Sequence, residues 1–187
     1  SRNQLALGFL ETDSEWALWM DSDMILEPRT VTVLIRWAKK LNAKMLTGVY
    51  YQRNGKHNPV IMMRLEGEEY KNNYVMHPVY PKEGSLIPFK VDACGFGCVL
   101  MHRTVLEAIP KPYFQYMYID NVEWSEDFYF CKKVREAGID IYAIPELKCL
   151  HMGEPSLIGY DEFKSKNNEI IENNGKKPED LVNVHAK

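Results

Sequence analysis

A run of large apolar residues, Trp16-Ala-Leu-Trp-Met20, breaks directly into Asp21-Ser22-Asp23, and this junction constrains the fold more than any other stretch of the 187-residue chain. A short, nearly continuous apolar run bounded by polar residues suits a strand buried on both faces, as in a parallel sheet. Ligands of such sheets gather beyond the carboxyl ends of the strands. A central strand over residues 16–20 therefore puts Asp21 and Asp23 where a ligand arrives. Two acids so close make a poor core and a good site for a hard divalent cation, which prefers oxygen ligands. The plainer reading has both acids starting the next helix, with Pro28 in its first turn. From Asp-x-Asp alone the plainer reading is the stronger one, because short motifs recur by chance.

At 45% hydrophobic, 12% aromatic and 26% charged residues, the chain is globular and long enough for one domain with a real core. A net charge of −3 gives no general attraction for nucleic acid or an anionic membrane, so an anionic ligand needs local cations or a metal. No apolar run is long enough to span a bilayer, and no secretory signal is visible. Cys94, Cys98, Cys131 and Cys149 form no CxxC pair, and three of the four lie in apolar segments. Buried free thiols fit that pattern best and imply a reducing, cytoplasmic setting. The opening Ser1-Arg2-Asn3, without an initiator Met, runs straight into a helical pattern, as a trimmed chain or fragment would.

Along the chain, residues 5–10 predict a short helix ending near Thr12-Asp13-Ser14. Val31, Leu34, Ile35, Ala38 and Leu41 recur at helical spacing, with Lys39 and Lys40 in the last turn where they complement the dipole. Residues 45–51 read as the next buried strand, completing a βαβ unit. Residues 60–64 and 74–79 suggest a hairpin around the acidic stretch 66–71. Residues 91–102 combine a strand-like end with a flexible Gly95-Phe96-Gly97 centre, where another backbone or a ligand can come close. A short helix over 104–109 stops at Pro110; strands are expected at 139–144 and 147–151. One domain is expected over residues 1–160, followed by a surface helix and loose tail over 161–187.

Ser125-Glu126-Asp127 opens a helix that Gly138 closes. Asp127, Phe130, Cys131 and Val134 share one face, so Asp127 lies on the apolar, inward side and Glu126 on a more exposed one. An inward carboxylate at a helix start either accepts backbone N–H bonds or faces a cleft, the placement a general base needs. His151, at a strand end, reads alone as a structural residue; it gains meaning if the same rim carries Asp21 and Asp23, since imidazole with carboxylates suits Mn²⁺.

The ordered set (a strand ending in Asp21-Ser22-Asp23, a βα pair, Gly95-Phe96-Gly97, Glu126-Asp127 opening a helix, then His151) resembles the catalytic portion of GT-A glycosyltransferases, especially inverting family-2-like enzymes. The resemblance runs from about Arg2 to Gly153 and lies in the order of the motifs. It implies an α/β fold with a GT-A-like (Rossmann-like), mixed and mostly parallel sheet flanked by helices, lacking the N-terminal strands that hold the nucleotide base. It also implies roles. Asp21 and Asp23 match the DxD motif, with Asp23 binding Mn²⁺ or Mg²⁺ and Asp21 contacting ribose or a metal-bound water. His151 matches a further metal ligand, and Arg2, Asn3 and Ser22 lie near the donor. Asp127 matches the catalytic base, with Glu126 supporting it or binding acceptor. Gly95, Phe96, Gly97 and Trp124 would line the acceptor side. The implied partners are a nucleoside-diphosphate sugar, a UDP-sugar favoured, and a glycan, lipid or protein acceptor.

Two other readings compete. A nucleotidyltransferase also uses paired acids and Mg²⁺, but needs a Gly- and Arg/Lys-rich phosphate loop near its N-terminus, absent here. A non-catalytic domain of the same fold would bind sugar or a partner protein. Tyr113, Phe114, Tyr116, Tyr118 and Trp124 are then a candidate sugar platform, although most are expected in the core.

Overall fold

The computed structural model describes residues 1–53, 57–65, 76–119, 122–153 and 157–166. In chain order the elements are α1 (Arg2–Leu10), β1 (Trp16–Met20), β2 (Met24–Leu26), α2 (Thr30–Leu41), β3 (Met45–Gly48), β4 (Ile61–Arg64), β5 (Met76–Pro78), β6 (Phe89–Val91), β7 (Ala93–Cys94) and β8 (Cys98–His102). There follow α3 (Arg103–Ala108), β9 (Met117–Ile119), β10 (Val122–Trp124), α4 (Glu126–Glu136), β11 (Ile141–Ile144), β12 (Cys149–Met152), β13 (Leu157–Ile158) and α5 (Tyr160–Lys166).

The main sheet has the order β1-β8-β3-β11-β6. Its central strands β8 and β3 bury both faces. Cys98 and Leu100 of β8 join Leu46, Val33 and Leu34 in one cluster under α2, whereas Val99 and Met101 join Met45, Phe130 and Val134 on the other side. That alternation is the signature of a strand covered above and below. Burying a side chain of the size of Leu34 or Phe130, both fully enclosed, contributes about 1.5–3 kcal/mol.

The sheet is mixed as expected, but the expectation of mostly parallel pairing is corrected. Among the described residues only β3 and β11 pair in parallel; β1 with β8, β8 with β3, and β11 with β6 are antiparallel. The reason is β8, which inserts between β1 and β3 and runs against both. The βαβ relation survives in that β1 and β3 point the same way, without touching. The expectation that β1 is a central strand buried on both faces is also corrected. It has β8 on one side and, among the described residues, no strand on the other, leaving Leu18 37% and Met20 55% exposed.

Asp21 and Asp23 do not open a helix. Residues 24–26 form β2, which leads a three-stranded sheet of order β13-β12-β2, and α2 starts only at Thr30. The expected hairpin exists as β4 against β5, with β7 on the other side of β4; its acidic connection at 66–71 lies outside the described residues. Ser125 caps α4 by accepting from the Phe128 N–H at 3.5 Å, and Gly138, at φ 74°, takes the left-handed turn that ends it. The four cysteines are free and buried. The C-terminal helix α5 is more than a surface helix. Its Phe163 is buried between the rings of Tyr51 and Tyr80, at centroid distances of 5.2 and 5.5 Å, because three flat aromatics stack there. The expected tail beyond residue 166 lies outside the described residues.

Candidate functional site

The β2–β12 ladder, the end of β1 and the start of α4 position the acidic residues. The β2–β12 ladder sets His151 opposite Met24, and the Met152 N–H donates to the Asp23 carbonyl at 2.8 Å. His151 Nε2 lies 3.2 Å from Asp23 Oδ2. Its Nδ1 faces the Tyr51 carbonyl at 2.8 Å, and a carbonyl only accepts, so Nδ1 carries the hydrogen. In the neutral ring Nε2 is then a bare lone pair aimed at a carboxylate oxygen. A cation between them, a proton or a metal ion, resolves that opposition. A backbone-oriented imidazole is also how metal-binding histidines are held.

On the other side of the site α4 packs under β7, where the Cys131 thiol donates to the Cys94 carbonyl at 3.5 Å. This aims Asp127 at the loop 95–97, and the Phe96 N–H donates to Asp127 Oδ2 at 3.3 Å. The Asp127 side chain is 16% exposed. Burial pushes its carboxyl from 3.8 up to about 6; the Arg2 guanidinium opposes the rise and Glu126 adds to it.

Arg2 occupies the centre. Its Nη1 donates to Asp127 and, at 2.9 Å, to Glu126, while its Nη2 donates to Asp21 at 2.8 Å. Its guanidinium also lies 5.5 Å from the Phe96 ring centroid. A cation in the first turn of α1 works against the helix dipole, and three carboxylates compensate for that. Asn3, expected near the donor, is tied to the neighbouring chain. Its amide is taken up by the loop at 113–114, accepting from the Tyr113 and Phe114 N–H groups at 2.9 and 3.0 Å and donating to the Phe114 carbonyl at 2.7 Å.

The two halves meet through Tyr50. Its hydroxyl accepts from the Gly97 N–H at 3.2 Å, and its ring stands edge-on to His151 at 5.6 Å. A continuous path therefore runs Asp127, Phe96, Gly97, Tyr50, His151, Asp23. Tyr50 also explains the two glycines: a Cβ on Gly95 would lie 2.0 Å from the Tyr50 hydroxyl, and one on Gly97 2.7 Å from its ring. What comes close to this loop is thus a buried tyrosine. Gly95→Ala is expected to destabilise the fold by about 1–3 kcal/mol through overpacking. Thermal melts should show a loss that Tyr50→Phe, in the double variant, partly restores. An unshifted Gly95→Ala melt would contradict the fit.

Asp21 and Asp23 have different partners. Asp21 turns to Arg2, whereas Asp23 pairs with His151 and with Arg53, whose Nη1 is 3.2 Å from Asp23 Oδ2. Among the described residues no group of three His, Cys, Asp or Glu is arranged to hold a metal ion. Ser22 is exposed between the two acids. Phe96 and Trp124 are buried. The Phe96 ring packs edge-on against Trp19, Phe114 and Phe130, and Trp124 lies against Phe128. Phe96 thus serves the site through its backbone N–H. Sequence reasoning did not reach Tyr50 or Arg53. The only signal for either was its place just past the carboxyl end of β3, where parallel sheets gather their ligands.

Comparison with known proteins bears on the family and the fold. A family model described as "Glycosyl transferase family 2" matches residues 2–109. Among solved structures the chain is similar to one titled "Crystal Structure of A197 from STIV", with a TM-score of 0.53 at 20% identity, over 84% of this chain and 73% of that one. That likeness is one of fold. No curated protein matches the chain. No described helix is long and apolar enough to cross a membrane.

Proposed function

The chain belongs to glycosyl transferase family 2, and from that premise we propose that it moves a sugar from a nucleoside-diphosphate sugar to an acceptor hydroxyl, with inversion and with Asp127 as general base. The observation that carries this reading is the path of contacts joining Asp127 to Asp23 through loop 95–97, Tyr50 and His151. It supports a single site with a base at one end and an anion-handling station at the other.

Asp127 suits the proton transfer. It is fixed at a helix start, partly desolvated, and its pKa near 6 leaves it ionised yet basic at neutral pH. Glu126 shares Arg2 with it and stands on the more open side, fit to orient the acceptor. Arg2 keeps Asp127 ionised in the absence of substrate, and Arg53 offers a cation beside Asp23 for the donor diphosphate. Asp23 and His151 would hold Mn²⁺ or Mg²⁺, which supplies Lewis-acid stabilisation of the leaving diphosphate. Two protein ligands fit an ion of this kind, which commonly takes one or two carboxylates and completes its shell with water and substrate phosphates. Asp21, held by Arg2, is assigned to the ribose side. Four buried free thiols favour a reducing compartment, and the cytoplasm is the location we assign.

A base works only when deprotonated, so kcat/KM should rise with pH along an acid limb centred at about 6. Arg2→Met removes the cation that holds this value down and should move the limb to higher pH. A pH–rate profile of both proteins checks the shift, and superimposable limbs would remove Arg2 from the base's environment. The broader reading is tested by thermal melts with UDP, GDP, CDP and dTDP, each with and without Mn²⁺. A ligand that binds only the folded state raises the melting temperature. One nucleotide should do so in a Mn²⁺-dependent way, UDP being favoured; no shift with any of the four would count against a donor site.

A further inference from the structure

The hairpin of β9 and β10 stands immediately before α4 and has two unlike faces. Trp124 and its cross-strand partner Met117 turn inward, with Trp124 buried against Phe128. The outward face carries Tyr116 and Tyr118, two positions apart and 60% and 70% exposed, together with Glu123, the cross-strand partner of Tyr118. Residues two apart on a strand, and residues directly opposite, share a face. The Tyr116 phenol is turned to the Glu126 carboxylate, with Glu123 also near it. The strip is therefore continuous with the Arg2–Glu126–Asp127 cluster.

Packing does not account for two adjacent solvent-facing tyrosines, since the hairpin buries its other side. Flat rings beside carboxylates match the chemistry of a pyranose, which offers C–H faces to aromatics and hydroxyls to acids. We propose that Tyr116, Tyr118 and Glu123 form the acceptor subsite and that its occupant is a carbohydrate, a glycan rather than a lipid or protein. This rests on the sugar-transfer reading above and narrows its acceptor. Tyr118 supplies the stacking platform. Glu123 accepts from sugar hydroxyls, and Tyr116 links the platform to Glu126 so that the reacting hydroxyl points toward Asp127.

The test is an array of immobilised mono- to hexasaccharides probed with wild type, Tyr118→Ala and Tyr118→Phe, followed by titration of the best-bound glycan. Tyr118→Ala should weaken that glycan about tenfold, the scale of losing one aromatic contact, while Tyr118→Phe, which keeps the flat ring, should stay close to wild type. The proposal is overturned if wild type retains no glycan, if Tyr118→Ala binds as wild type does, or if Tyr118→Ala weakens UDP or GDP instead, which would make the strip a nucleobase platform. Failure of the sugar-transfer reading shows separately: glycans would still bind in a Tyr118-dependent way, but no nucleotide would stabilise the protein.

Discussion

Asp127→Asn is expected to lower kcat by about 10²–10⁴-fold, the usual contribution of a positioned base, while leaving nucleotide affinity in the presence of Mn²⁺ near that of wild type. The amide keeps the shape of the carboxylate but cannot take a proton. The structural cost is contained, because Arg2 retains Asp21 and Glu126 as partners when the charge on Asp127 goes. The sign of the pKa shift points the same way. A carboxyl raised from 3.8 to about 6 contributes stability below its unfolded value and loses it as pH rises through its folded value. At neutral pH the ionised Asp127 is thus a burden that Asn relieves. Single-turnover kinetics beside calorimetric titration separates the two effects, and a variant that lost binding as fully as turnover would contradict the role.

Asp23→Ala is expected to act in the opposite sense. It removes the carboxylate that His151 Nε2 and Arg53 Nη1 both approach at 3.2 Å. Loss of partners that merely orient a metal ligand costs roughly 10–100-fold in metal affinity, and loss of the ligand itself should cost more. Titration of nucleotide with and without Mn²⁺ should show that the Mn²⁺-dependent part of binding disappears. Asp21→Ala should leave more of it, since Asp21 faces Arg2. If the two variants lost Mn²⁺-dependent binding equally, the division between the acids would fall.

The parts of this site that the sequence discloses are those encoded locally. The inward aspect of Asp127 follows from its spacing to Phe130, Cys131 and Val134, all fully buried, and Ser125 and Gly138 mark the ends of that helix. The junction at Asp21 is legible because an apolar run stops there. Pairing at long range is another matter. Periodicity cannot say that β8 inserts between β1 and β3, and so it misplaces β1 in the sheet's centre. Nor can it say that β2 pairs with β12, the contact that carries Asp23 to His151 across 128 positions. The three carboxylates around Arg2 come from β1's end and α4's start, which no local pattern brings together. At Gly95 and Gly97 a missing Cβ shows from sequence only that something, backbone or ligand, is close; that Tyr50 packs there is a long-range contact.

The claim that Asp127 and Asp23 serve one sugar-transfer site is tested most directly by nucleotide release. Wild type and Asp127→Asn are incubated with UDP-, GDP-, CDP- and dTDP-sugars, Mn²⁺ and the glycans retained on the array, and the nucleotide products are separated by chromatography. The prediction is release of a nucleoside diphosphate from one donor by wild type and its near loss in Asp127→Asn. Release of pyrophosphate, or equal diphosphate release by both proteins, would contradict it.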